Sequence, residues 1–247
     1  MEKLLNQLVE RLSKAHGADL VSVLLYGSAA EAGQHDESFS DINVLCVFRE
    51  ISISHLRRSQ PVFKWWAQHP APAPLLLSEQ EVLTSTDCFA IEFHDMQHRR
   101  RVLFGRDVID GLVIDEAFYR VQVEYELRTK LLRLRQKAAS VLSDRDLVRR
   151  LLLDSVSTFS VLTRHALLLH GADAPPARRI VWKLAAEHLD VDAQPFLALI
   201  DVREKKLKPS QIQAEAMLGQ VLEQIGKIID AVDRLSKPVA ASAKGDL

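Results

Sequence analysis

Hydrophobic positions divide the chain into two differently patterned halves. In MEKLLNQLVERLSKAHG, at the start, Leu4, Leu5, Leu8, Val9 and Leu12 recur at the spacing of one helix face, and Gly17 offers a C-cap. Two apolar runs follow, ADLVSVLLY (18–26) and DINVLCVF (41–48). Both are rich in Val and Leu and short, which predicts buried strands. Residues 52–69 have a helical period but contain Pro61, and proline lacks the N–H that a helix interior needs. The pattern therefore predicts a break, with Pro61 in the first turn of a new helix carrying Trp65 and Trp66. Pro70, Pro72 and Pro74 mark a loop, and Ser78 with Glu81 predicts a capping box. In FAIEFHD (89–95), Phe89, Ile91 and Phe93 alternate with Ala90, Glu92 and His94, which predicts a strand with one polar face.

From about Asp115 the pattern turns helical. Leu127, Leu131, Leu134, Ala138 and Leu142 form one apolar stripe. Ser143 with Asp146 reads as the cap of a second long helix closed by Gly171, Pro175-Pro176 precede a third carrying Ile180, Val181, Leu184 and Leu189, and a fourth spans about Ser210 to Leu235. Strands with helices, then helices alone, predict an α+β chain: a small mixed sheet with flanking helices in residues 1–114, a helical bundle in 115–236, and a frayed tail in 237–247.

Bulk composition narrows the function classes. The chain has 247 residues and a formal net charge of −1, so it carries no global polycationic signal for nucleic acid. Its two cysteines, Cys46 and Cys88, lack metal-ligand spacing and fit a reducing, cytoplasmic setting. Charges interrupt the first amphipathic segment, which reads as neither a signal peptide nor a membrane span, and no later run is apolar for long enough to cross a bilayer.

Chemistry concentrates in LLYGSAAEAGQHDESFSDINVLCVF, residues 24–48. Gly27 lets the backbone approach a bulky anion, and the Ser28 hydroxyl with the N–H groups of the following turn can hold phosphate oxygens. Twelve residues further, Ser40 and Asp41 open the second apolar run, and Asp41 and Asn43, two apart on a strand, project to the same face. Glu92, on the polar face of FAIEFHD, is a third oxygen donor if the strands are neighbours, with Asp95 ranked behind it. Convergent oxygens facing a phosphate cradle suit Mg²⁺.

These residues resemble the nucleotidyltransferase superfamily that includes DNA polymerase β and the kanamycin nucleotidyltransferases. Its signature is hydrophobic-Gly-Gly/Ser, a gap, Asp-hydrophobic-Asp/Glu-hydrophobic, and a third acid on a later strand. Here these are Tyr26-Gly27-Ser28, a gap of twelve, Asp41-Ile42-Asn43-Val44, and Glu92. The resemblance covers roughly the first 110 residues and implies a nucleotidyltransferase fold followed by a helical bundle. It implies transfer of a nucleoside monophosphate from a nucleoside triphosphate to an acceptor hydroxyl of a small molecule or protein, releasing pyrophosphate. Asp41 and Glu92 would be catalytic, Asp41, Asn43 and Glu92 would hold Mg²⁺, and Gly27, Ser28 and Ser40 would hold nucleotide. The departure is Asn43, an amide where the family has its second acid. It favours two alternatives, a catalytically silent nucleotide-binding regulatory module and an antitoxin-like partner-binding module.

Each residue has a bland reading too. Gly27-Ser28 can be an ordinary turn, Asn43 a structural amide, and Glu92 the partner of Arg99 or Arg100. His94 reads better as a bonded partner than as a base, and Trp65 and Trp66 better as core than as a base-stacking platform. Residues 128–150 hold eight basic side chains against Asp144 and Asp146. A solvated face is the plain expectation. The sharper one gives Arg128 and Arg133 the phosphates of a triphosphate, and a nucleic-acid groove is the weaker variant because aromatic residues do not interleave. A homodimer is compatible with the pattern.

Overall fold

The computed structural model of the chain describes residues 1–30 and 42–235, the side chain of Ser28 excepted. It divides into two compact units, Met1–Asp115 and one that begins at Glu116.

The first unit is built on a four-stranded mixed sheet of order β3-β2-β1-β4. β1 (Leu20–Tyr26) runs antiparallel to both β2 (Asn43–Phe48) and β4 (Arg100–Gly105), and β2 runs parallel to β3 (Leu75–Ser78). Helices α1 (Glu2–His16) and α2 (Ile53–Trp66) supply Leu5, Leu8, Leu12, Val62 and Trp66 to one face, where they meet Val23, Leu25, Val44, Cys46 and Phe48. On the other face Leu24, Leu45 and Val47 meet Val82 of α3 (Glu79–Thr84), Phe93 and Met96 of α4 (Ala90–His98), and Ile109. Central strands covered on both faces read as unbroken apolar runs, which is why β1 and β2 are legible in the sequence. Full burial of each of these large side chains contributes about 1.5–3 kcal/mol.

Two expectations are corrected here. FAIEFHD is not a strand: residues 90–98 form α4, and its buried residues Ala90, Phe93 and Met96 recur every three positions. The seven-residue window fits both periods, and only its extension to Met96 separates them. The strand lies just after it, at Arg100–Gly105, on an edge of the sheet, where Arg101 pairs with Glu2 and Val102 stays exposed. Edge strands carry charge and are less apolar than central ones, so their pattern is faint. Pro61 does not break α2 but sits inside it on an exposed face. The hydrogen bond that it forgoes belongs to the carbonyl of Arg57, also exposed, so water can replace it. The capping box of Ser78 and Glu81 forms as expected, with Ser78 N donating to Glu81 Oε2 at 2.7 Å.

The second unit is helical: α5 (Glu116–Val141), α6 (Arg145–Leu169), α7 (Arg178–His188), α8 (Gln194–Arg203) and α9 (Ala214–Arg234). α6 is its centre and packs against the other four. The predicted stripe of α5 buries Leu127, Leu131, Leu134 and Ala138, whereas Leu142 falls beyond the helix and is exposed. α6 is capped by Asp144 rather than Ser143, its carboxylate accepting from the N–H groups of Asp146 and Leu147. On α7 the buried face is Val181, Trp182 and Ala185, and Ile180 is exposed. The pattern missed α8, because QPFLALIDVR is apolar nearly all round and buried on several sides. There Phe196 stacks on Trp182 with ring centroids 3.5 Å apart, and the Trp182 indole N–H donates to Ser160 Oγ at 2.9 Å. No helix among the described residues is long and apolar enough to cross a membrane.

Candidate functional site

The C-terminal end of β1 brings the motif residues together. Tyr26 stands opposite Asn43 of β2 on one side and Arg100 of β4 on the other. Directly opposed residues of antiparallel strands project to the same face. Tyr26, Asn43 and Arg100 therefore share the face that α3 and α4 cover further along the sheet. The chain then turns at Gly27, whose φ of 77° is a conformation that glycine adopts without steric cost. The Gly27 N–H donates to the Arg99 carbonyl at 3.1 Å, which fixes the start of the turn. A Cβ at Gly27 would lie 3.4 Å from the Asn43 amide nitrogen, so the Asn43 side chain is aimed at the turn.

Glu92 reaches the same region from a helix, not from a neighbouring strand. It lies in the first turn of α4, where an acid complements the helix dipole. Its charge acts on Tyr26: burial, reinforced by the Glu92 carboxylate, pushes the phenol up to about 12. The third acid expected on a strand is thus absent from the described strands, since β4 reads RRVLFG and β3 reads LLLS. Ser40 and Asp41 lie outside the described residues, as does the Ser28 side chain.

The other candidate residues have the following surroundings. Arg100 does not pair with Glu92. Its Nε donates to both oxygens of Asp107, at 2.9 and 2.8 Å, and its Nη1 donates to the Gln97 carbonyl at 2.6 Å. The guanidinium thereby ties the last turn of α4 to the loop after β4, with its positive charge at the negative end of the helix. His94 stacks on His98 with centroids 4.4 Å apart, and Asp95 lies beside it on α4. Trp66 is buried, its indole N–H donating to the Pro72 carbonyl at 2.8 Å, and Trp65 lies under the Arg11 guanidinium, 4.4 Å from its ring centroid. Arg128 and Arg133 belong to α5 in the second unit, both exposed, with Arg128 Nε donating to Glu124 at 2.7 Å. Sequence reasoning missed Tyr26 as a member of the site. The signal was present: Tyr26 directly precedes Gly27 and alternates with Leu24 on the strand.

Among the described residues the donor set is one carboxylate and one amide near a phenol that stays protonated. A hard cation completed by substrate phosphates fits such oxygens, with Asp41 adding the second carboxylate that the motif implies.

No family model and no curated protein matches the chain. Among solved structures the chain is similar to a spectinomycin adenyltransferase from Enterococcus faecialis, determined with ATP and spectinomycin. The TM-score is 0.59, the likeness covers 92% of this chain and 99% of that one, and 12% of the aligned residues are identical. The likeness shows the fold, an α+β sheet unit followed by helices.

Proposed function

We propose that the chain binds a nucleoside triphosphate at the Gly27 turn and transfers its nucleoside monophosphate to an acceptor hydroxyl, releasing pyrophosphate. The observation that carries this reading is the direction of Asn43, the position of the motif's second acid, which points at the Gly27 turn. In this reading the turn's backbone N–H groups and Ser28 receive the phosphates. The Asn43 amide nitrogen donates to a phosphate oxygen, a role that a carboxylate could fill only through a metal. Tyr26, protonated across the physiological range, is a second donor beside it. Asp41 and Glu92 would hold Mg²⁺, which when bound supplies charge neutralisation for the departing pyrophosphate. The acceptor is a small molecule or a protein.

The second reading is a silent nucleotide-binding or partner-binding module. It is favoured by the amide at position 43 and by strands β3 and β4, which carry no acid. One assay separates the readings. Purified protein is incubated with each α-labelled nucleoside triphosphate, with Mg²⁺ or chelator, and with pools of hydroxyl-bearing acceptors. Mg²⁺-dependent release of pyrophosphate with label in an acceptor supports transfer. Saturable binding without release supports the silent module, and no binding of any nucleotide leaves the partner-binding module.

A further inference from the structure

The helix α5 is apolar on two opposite faces. One face buries Tyr119, Val123, Leu127, Leu131, Leu134 and Ala138 inside the second unit. The other carries Phe118, Val121, Tyr125 and Leu132, which are 51, 50, 64 and 54% exposed. At 100° per residue these four lie within a sector of about 60° on the helix surface. Their spacing of three, four and seven residues is that of a helix-pairing seam.

Charge along α5 is polarised. Its acids, Glu116, Glu124 and Glu126, all lie in the first half. Of its bases Arg120 and Arg128 lie there, while Lys130, Arg133, Arg135 and Lys137 follow. Arg120 and Arg128 are held by Glu124, and Lys130 by Glu126. Arg133, Arg135 and Lys137 form no ion pair among the described residues.

We infer that this face is a self-association surface, on which α5 of a second copy of the chain packs antiparallel, the two helices crossing near Arg128. Only the antiparallel arrangement lays the acidic half of one helix on the basic half of the other. Parallel pairing would set Arg133, Arg135 and Lys137 against their own copies, and like charges in register oppose association. With the axis between Arg128 and Thr129, Tyr125 packs on Leu132 of the second copy. The interface is isologous, so each contact is made twice and the assembly closes at two copies. The four half-exposed side chains, two of them aromatic, present on the order of 1,000 Å² over both copies. The flanking arginines and glutamates bring this to the roughly 1,200 Å² at which stable pairs begin.

Sedimentation velocity of the full chain from about 1 to 100 µM, with partly buried seams expected in the micromolar range, tests the association. A concentration-dependent dimer is expected, with Tyr125→Glu and Leu132→Glu each raising its dissociation constant at least tenfold while leaving the circular dichroism unchanged. A second measurement fixes direction in a Cys88→Ser background. Val121→Cys mixed with Gln136→Cys should form a disulfide under mild oxidation, whereas Gln136→Cys alone should not. A monomer throughout the range overturns the proposal. So does a dimer indifferent to both glutamate substitutions, or a Gln136→Cys protein that crosslinks to itself but not to Val121→Cys.

Discussion

Replacing Asn43 by Asp perturbs the site most informatively. The side chains are nearly isosteric, so packing changes little. The new carboxylate would stand opposite Tyr26, whose phenol already feels the charge of Glu92. Taking about 7 Å between the two carboxylates and an effective dielectric of about 20, their repulsion is about 2 kcal/mol. That raises the folded-state pKa of the new acid by about 1.5 units above its ordinary value of about 3.9. A raised carboxyl pKa costs stability only where the unfolded chain is ionised. The penalty is therefore absent below about pH 3.9, grows as pH rises through that value, and is complete about two units higher. At neutral pH in chelator the variant should melt about 10 °C below wild type, given about 4–8 °C per kcal/mol for a unit of ~100 residues. With Mg²⁺ and ATP the sign reverses, because a bound cation attracts both acids. Thermal melts of both proteins, in chelator and in Mg²⁺-ATP, are the assay. Equal melting points in chelator together with equal gains from Mg²⁺-ATP would refute the placement of Asn43 beside a metal and nucleotide site.

Three further outcomes are expected. Gly27→Ala should lose about 1–2 kcal/mol in urea unfolding from its positive φ, and should weaken ATP binding beyond what Ala30→Ser, in the same turn, does. Tyr26 should titrate near 12 by ultraviolet absorbance, a transition missing in Tyr26→Phe and shifted down in Glu92→Gln. Because the folded-state value is raised, the unfolded chain ionises first, so stability from this group falls as pH climbs from about 10 toward 12. Arg100→Met should cost about 2–3 kcal/mol by denaturant titration, since it strands Asp107 and the last carbonyls of α4.

What the sequence disclosed followed burial. β1 and β2, covered on both faces, stood out as apolar runs, and α1, α5 and α6 as long periodic segments, the first closed by Gly17. The edge strands β3 and β4 did not, because none of their residues is fully buried and the charged positions of β4 serve ion pairs such as Arg101 with Glu2. α4 was misread because Phe89, Ile91 and Phe93 alternate by chance within a helix whose core contacts are Ala90, Phe93 and Met96. That error changes the chemistry. Glu92 stands in the first turn of a helix, with its charge acting on Tyr26, and not on the ligand-bearing strand that the motif implies. Gly27 and Asn43 were legible because their spacing reflects strand geometry, which is local. The company of Tyr26, which depends on how three strands align, was not.

The central claim is that nucleotide binds at the turn after β1, and hydrogen exchange tests it most directly. Amide exchange of the full chain is compared with and without saturating Mg²⁺-ATP. The account predicts slowed exchange in peptides covering residues 24–30 and 42–46, with wild-type protection lost in Gly27→Ala. Tight binding of ATP with protection confined to other segments, and these two unchanged, would contradict it.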